Sequence, residues 1–290
     1  MSQPIFRDVA AKQRIADWYE KFLARVPAPV EHRDIETSLG VSHVLLAGDA
    51  TNPPLVCLHG ALASSAHIVS ELGPLLDRFY IIAPDIPGQS VRGPQLRPAV
   101  RDRSHEKWLL EILDSLDIDS CDFYGVSWGG FIALQTAAFA PARVKHLVLL
   151  VPLGFVLGSF WKSLMQAGLP LFLYHLTASP RFLRRFLRSQ LTTWDDDWAN
   201  YMGDALRNYV FAFATIPFVR RKDVRDFRTP TLIIAADNDL SFPGANLIKR
   251  AKILLPHAQT HLLKRSRHIP PLTEEFRRDM AEQVTRFLTN

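Results

Sequence analysis

The stretch Phe123-Tyr124-Gly125-Val126-Ser127-Trp128-Gly129-Gly130 sets one serine among three glycines, between a short apolar run and a longer apolar segment at 131–138. Glycine at this density interrupts both strands and helices, so the segment reads as a turn. Gly-X-Ser-X-Gly between a strand and a helix makes a tight, strained turn that exposes the serine, while its small neighbours let strand and helix meet. The helix that follows aims its unpaired N–H groups at the hydroxyl. A glycine-rich turn whose serine merely caps a helix would share the motif. The strand-like residues before it and the apolar helix after it favour a nucleophile at Ser127.

Working outward, short apolar runs bounded by Gly, Pro, Asn or Asp alternate with helical patterns. Strands are expected at 41–47, 55–58, 80–83, 123–124, 147–151, 231–235 and 260–263, and helices at 65–76, 104–116, 128–140, 245–255 and 273–288. Mostly apolar strands separated by helices indicate an α/β domain with a parallel sheet covered on both faces. Ligands then sit at the carboxyl ends of the strands. The alternation breaks once, where about seventy residues are helical and aromatic. This divides the chain into an α/β core, 1–152 and 229–290, and an inserted helical lid, 153–228. An amphipathic N-terminal helix is expected at about 5–26 from Ile15, Trp18, Phe22 and Val26.

The 290 residues suffice for one large α/β domain. No apolar run is long enough for a spanning helix, and the N-terminus lacks the features of a signal peptide. The expectation is a cytoplasmic protein without stable membrane insertion. Cys57 and Cys121 fall in apolar, strand-like runs and read as reduced core thiols, with no zinc-like spacing and no metal or cofactor implied. The net charge of +5 lies in the insertion, where residues 153–228 hold 11 Lys+Arg against 6 Asp+Glu. No nucleic-acid-binding signature accompanies it.

A serine nucleophile needs a base, an acid to orient that base, and donors for the oxyanion. Of ten histidines, His268 lies on a loop leaving the 260–263 strand, at the same sheet edge as Ser127. The 231–235 strand runs out into Ala236-Asp237-Asn238-Asp239, so Asp237 and Asp239 both qualify as the acid. The oxyanion donors are expected to be the backbone N–H groups of Trp128 and of Ala61 in Leu58-His59-Gly60-Ala61. His59 itself reads as structural.

These blocks, HGALASS, DIPGQS, GVSWGG, ADNDLSFP and RSRHIPP in order, resemble the α/β-hydrolase superfamily, and in particular its esterase-like members with a helical lid. The resemblance implies an α/β-hydrolase fold, a mostly parallel central sheet with helices on both faces and an inserted cap. It also implies the order Ser127, Asp239, His268, because relatives commonly place the acid four residues before a proline, here Pro243. Asp85 becomes a loop-organising carboxylate. The chain departs from the common pattern at Ala235-Ala236, at Gln89 and before His268.

The implied activity is metal-free hydrolysis of a small-molecule carboxylic ester. Carbon–carbon bond hydrolysis, lactonase or perhydrolase chemistry would use the same three groups, and a non-catalytic receptor would keep only the frame. Phe155, Phe160, Trp161, Phe172, Tyr174, Trp194, Trp198 and Phe211 of the insertion either line an apolar acyl or alcohol pocket or, taken singly, pack the insertion's own helices onto the core; together they predict a largely apolar pocket. Arg181, Arg184, Arg185 and Arg188 are expected to form a solvated face, or one that meets an anionic surface or substrate. Oligomeric state is not legible.

Overall fold

Most of the short apolar runs become strands because their residues are buried on both sides. In β3 (Pro54–Leu58), Leu55 and Cys57 point into one core while Val56 and Leu58 point into the other. The computed structural model describes residues 4–210 and 217–289. Before β3 come α1 (Val9–Leu23), β1 (Val30–Thr37) and β2 (Gly40–Ala47). After it follow α2 (Ser65–Glu71), β4 (Tyr80–Pro84), α3 (Ser104–Ser115), β5 (Cys121–Val126), α4 (Trp128–Phe139) and β6 (Val144–Leu150). The chain then runs through α5 (Phe160–Ser163), a wider turn at Leu164–Gly168, α6 (Leu169–Thr177), α7 (Pro180–Gln190) and α8 (Asp196–Asn208). It returns to the sheet with β7 (Thr231–Ala236), α9 (Gly244–Leu254), β8 (Gln259–Leu263) and α10 (Glu274–Leu288).

The eight strands form one sheet in the order β1-β2-β4-β3-β5-β6-β7-β8, with β2 antiparallel to both neighbours and the rest parallel. Helices α1, α2 and α10 cover one face; α3, α4 and α9 cover the other. The order places β4 and β5 on opposite sides of β3, so the loops after β3 and β5 part at a switch point where a crevice opens. Cys57 and Cys121 are buried and unpaired. The N-terminal helix is shorter than expected, because Asp8 caps it by accepting from the Ala11 N–H, and Phe6 pairs instead with Tyr209.

Side chains from α6, α7 and α8, including Tyr174, Phe186 and Trp198, join the same apolar core as α1, α2 and α10. The aromatic residues of the insertion therefore divide between core packing and the surface. Phe155 is buried against the opposite face of the sheet and Tyr174 within the core, while Phe160, Trp161, Phe172 and Trp194 are exposed. Their backbone positions turn these four rings outward, and Phe211 lies outside the described residues.

Candidate active site

Ser127 stands where β5 ends and α4 begins, with φ +50° and ψ −108°, a positive-φ conformation that a non-glycine residue holds at a cost of roughly 1–3 kcal/mol. Its backbone is fixed on both sides. The Ser127 N–H donates to Leu150 O at 3.0 Å, and its carbonyl accepts from the N–H groups of Phe131 and Leu153, each at 3.1 Å. Gly125 is required because a Cβ there would lie 2.7 Å from both Gly129 O and Gly130 Cα. Gly129 is required because a Cβ would meet the carbonyls of Leu58 and His59.

The loop after β7 brings Asp239, and the loop after β8 brings His268, to the same edge of the sheet. His268 Nδ1 lies 2.7 Å from Asp239 Oδ2, and His268 Nε2 lies 3.2 Å from Ser127 Oγ. A carboxylate only accepts, so the proton is on Nδ1 and Nε2 is left to accept from the serine hydroxyl. The other Asp239 oxygen accepts from the N–H groups of Ser241 at 2.7 Å and Phe242 at 2.9 Å. Asp237 accepts from the Ser266 N–H at 3.0 Å, which ties the two loops together. The structure thus joins Asp239 to His268 and puts Asp237 beneath the loop.

Burial pushes the Asp239 carboxyl up, but the adjacent His268 and the two amides outweigh it and hold the group below the usual carboxylate range. For His268, burial disfavours the imidazolium; the charge and hydrogen bond of Asp239 favour it more, and leave the group above its ordinary value. Phe242 meets the imidazole edge-on, with centroids 5.2 Å apart, and limits its rotation.

The loop after β3 faces the serine, and a Cβ on Gly60 would lie 3.8 Å from Ser127 Cβ. The N–H groups of Ala61 and Trp128 have no protein acceptor among the described residues. His59 is buried: its Nδ1 donates to Gly60 O at 2.8 Å and its Nε2 accepts from the Ile86 N–H at 3.0 Å. Both ring nitrogens are used to fasten the loop to the segment after β4. Asp85, fully buried, accepts from Ser65 N and Oγ at 2.9 and 2.8 Å and from His43 Nδ1 at 2.9 Å. It anchors the start of α2 just behind that loop.

Three residues with no role assigned from the sequence hold the loop from outside. Leu62, next to Ala61, has φ +56°. Its N–H donates to Gln89 Oε1 at 3.2 Å, and its carbonyl accepts from the Tyr201 hydroxyl. Tyr209 in turn donates to Gln89 O at 2.9 Å. Gln89 is one of the departures noted in the sequence, whereas the tyrosines lie more than a hundred residues downstream and carry no local signal.

A cavity of about 240 Å³ opens beside Ser127 and His268. Leu72, Leu75, Phe186, Met202 and Met280 give it an apolar wall, and among the described residues Trp198 is the one expected aromatic residue that reaches it. Its charged lining is the pair Arg277–Glu71, joined at 2.8 and 3.1 Å, with Trp198 Nε1 donating to Glu71 Oε1 at 3.0 Å. These bonds tie α2, α8 and α10 around the cavity. Among the described residues no cluster of His, Cys, Asp or Glu is placed to hold a metal ion, and no helix is long and apolar enough to cross a membrane.

The family model for the alpha/beta hydrolase fold matches residues 53–275. An uncharacterized carboxylesterase of Bacillus subtilis (strain 168), nap, is 25% identical over 281 residues, spanning 93% of this chain and 90% of its own. Carboxylesterase YbfK of the same strain is 21% identical over 280 residues, spanning 93% and 92%. The crystal structure of naproxen esterase (carboxylesterase NP) from Bacillus subtilis superposes with a TM-score of 0.80 at 21% identity, covering 97% of this chain and 99% of that one. At that identity the superposition speaks to the fold.

Proposed function

Because the chain belongs to the α/β-hydrolase family, we propose that it is a serine carboxylic-ester hydrolase working through a Ser127 acyl-enzyme. The observation that carries this reading is the relay Ser127–His268–Asp239, with spacings of 3.2 and 2.7 Å, at the mouth of an apolar cavity. The carboxylesterase names of relatives that match 93% of the chain support the same reaction class.

In this mechanism Ser127 Oγ attacks the ester carbonyl while His268 Nε2 takes its proton. The new imidazolium is stabilised by Asp239, and the oxyanion by the N–H groups of Ala61 and Trp128. Collapse expels the alkoxide, which receives the proton from His268 and leaves as the alcohol. Water, deprotonated by His268, then attacks the acyl-enzyme and releases the acid with Ser127 restored. The cavity takes the apolar acyl or alcohol group of a small-molecule ester.

Residues 153–228 act as a lid on the core of 1–152 and 229–290, in keeping with the contribution of Phe186, Gln190, Trp198 and Met202 to the cavity wall. A cytoplasmic location accords with two buried, unpaired thiols. The test is pre-steady-state hydrolysis of p-nitrophenyl butyrate. A burst of nitrophenol near one equivalent is expected, with both burst and turnover abolished in Ser127→Ala; undiminished turnover in that variant would refute the mechanism.

A further inference from the structure

Four of the aromatic rings of the insertion, Phe160, Trp161, Phe172 and Trp194, stand at the surface instead of in a pocket. Fourteen large apolar side chains stand exposed among the described residues, and eight of them fall between positions 157 and 176. Trp161, Met165, Leu169, Phe172 and Leu176 recur at three- and four-residue spacing from α5 through the wider turn into α6, with Leu157 just before α5, so they form an exposed apolar row along this segment. Trp161 is 71% exposed and Leu176 67%. Burying such a stripe would normally drive helix packing, yet this one faces outward.

Along the segment that carries it, up to the aspartates at 195–197, the charge has a single sign. From residue 153 to 194 the chain contains Lys162, Arg181, Arg184, Arg185 and Arg188 and no Asp or Glu. The four arginines are exposed on α7, which packs beside α6, and Arg184 stacks 5.1 Å from the ring of Trp194. We infer that this face docks on an anionic phospholipid surface, with the Trp161–Phe172 stripe at the headgroup–acyl boundary and the arginines on the lipid phosphates. A helix with aromatic and aliphatic residues on one side and cations beside them lies in that boundary without crossing it. A second copy of the chain is a poorer occupant, because it would bring a second, identical basic row to this face, with no acidic side chain between 153 and 194 to meet it.

The stripe is also joined to the candidate site. The Gly158 N–H donates to Ser241 O at 2.8 Å, and Ser163 Oγ donates to Leu240 O at 3.5 Å. Leu240 and Ser241 directly follow Asp239, so α5 sits on the loop that carries the acid, and docking would hold the rim of the site at the lipid surface. The inference does not depend on the ester-hydrolase reading.

The experiment is cosedimentation with large vesicles of phosphatidylcholine alone or with one quarter phosphatidylglycerol. The wild-type chain is compared with Trp161→Ser/Phe172→Ser and with Arg181→Gln/Arg184→Gln/Arg185→Gln/Arg188→Gln. Wild type is expected to bind the phosphatidylglycerol vesicles at least ~10-fold more tightly than the neutral ones, and to lose most of that binding in high salt. Each variant should lose at least ~10-fold in affinity. Unchanged thermal melting and unchanged hydrolysis of water-soluble p-nitrophenyl acetate show that the variants still fold. Wild type remaining in the supernatant with both vesicle types, or equal binding to both that the arginine variant does not alter, would overturn the inference. So would a dimer that Trp161→Ser/Phe172→Ser dissociates while no vesicle binds, since a second copy would then cover the stripe.

Discussion

Replacing Asp239 with Asn tests the relay through its hydrogen-bond directions. One Asp239 oxygen accepts from the amides of Ser241 and Phe242. In the variant that position must stay oxygen, because an NH₂ group there would face two donors. The amide nitrogen then occupies the place of Oδ2 and directs an N–H at His268 Nδ1, 2.7 Å away in the parent. Nδ1 becomes an acceptor, the proton moves to Nε2, and the face toward Ser127 can no longer take a proton. A wrong tautomer of this kind costs about 10⁴ in kcat, or about 5.4 kcal/mol at 1.36 kcal/mol per tenfold.

The pH dependence moves as well. In the parent Asp239 raises the His268 pKa against burial, so activity should climb with pH as His268 deprotonates above its ordinary value. Without the carboxylate only burial remains, and the acid limb of residual kcat/KM should shift to lower pH. Stopped-flow hydrolysis of p-nitrophenyl butyrate from pH 5 to 9 measures both effects. An Asp239→Asn enzyme within tenfold of wild type, or one whose acid limb has not moved, would refute the assignment of Asp239.

Other substitutions probe the surroundings. Gln89→Ala and Tyr201→Phe each remove one support of Leu62 and should lower kcat by about 10- to 100-fold with KM nearly constant, because a shifted Ala61 N–H weakens transition-state binding more than substrate binding. Gln89→Glu keeps the acceptor and should recover most of the loss; equal losses in KM and kcat would count against a positioning role. Ala281→Phe fills part of the cavity wall, so a panel of p-nitrophenyl esters should show the longest acyl chains lost first, and an unchanged chain-length profile would place the acyl group elsewhere. Asp85 and Asp239 are both buried with their pKa held below the ordinary value. Their stabilisation is present above the unfolded carboxylate pKa, about 3.9, and is lost as pH falls through the folded values. Urea midpoints should therefore drop below about pH 4, less steeply in Asp85→Asn, and identical slopes would show that Asp85 contributes nothing to acid unfolding.

The strands were legible where burial on both faces makes the sequence uniformly apolar, as in Leu55–Val56–Cys57–Leu58. β1 was not, since Val-Glu-His-Arg-Asp-Ile-Glu-Thr is an edge strand with only Ile35 buried and carries no apolar run. The order of blocks placed Ser127, Asp239 and His268 at one sheet edge, since each follows a strand by a few residues. Orientation was harder to read. Nothing local distinguishes Trp198, which reaches the cavity, from Trp161, which faces out, because that depends on how the helices after β6 rotate against the core. Gln89 stood out only as a departure from the family pattern, and Tyr201 and Tyr209 not at all, because their role is created by contacts far apart in the chain.

The central claim is that Ser127 forms the covalent bond. Reaction with an alkyl fluorophosphonate followed by peptide mass spectrometry tests it directly. The account predicts one adduct per chain, on Ser127, forming in step with loss of esterase activity and slowed in Asp239→Asn. An adduct on another residue that abolishes activity while Ser127 stays unmodified would contradict it.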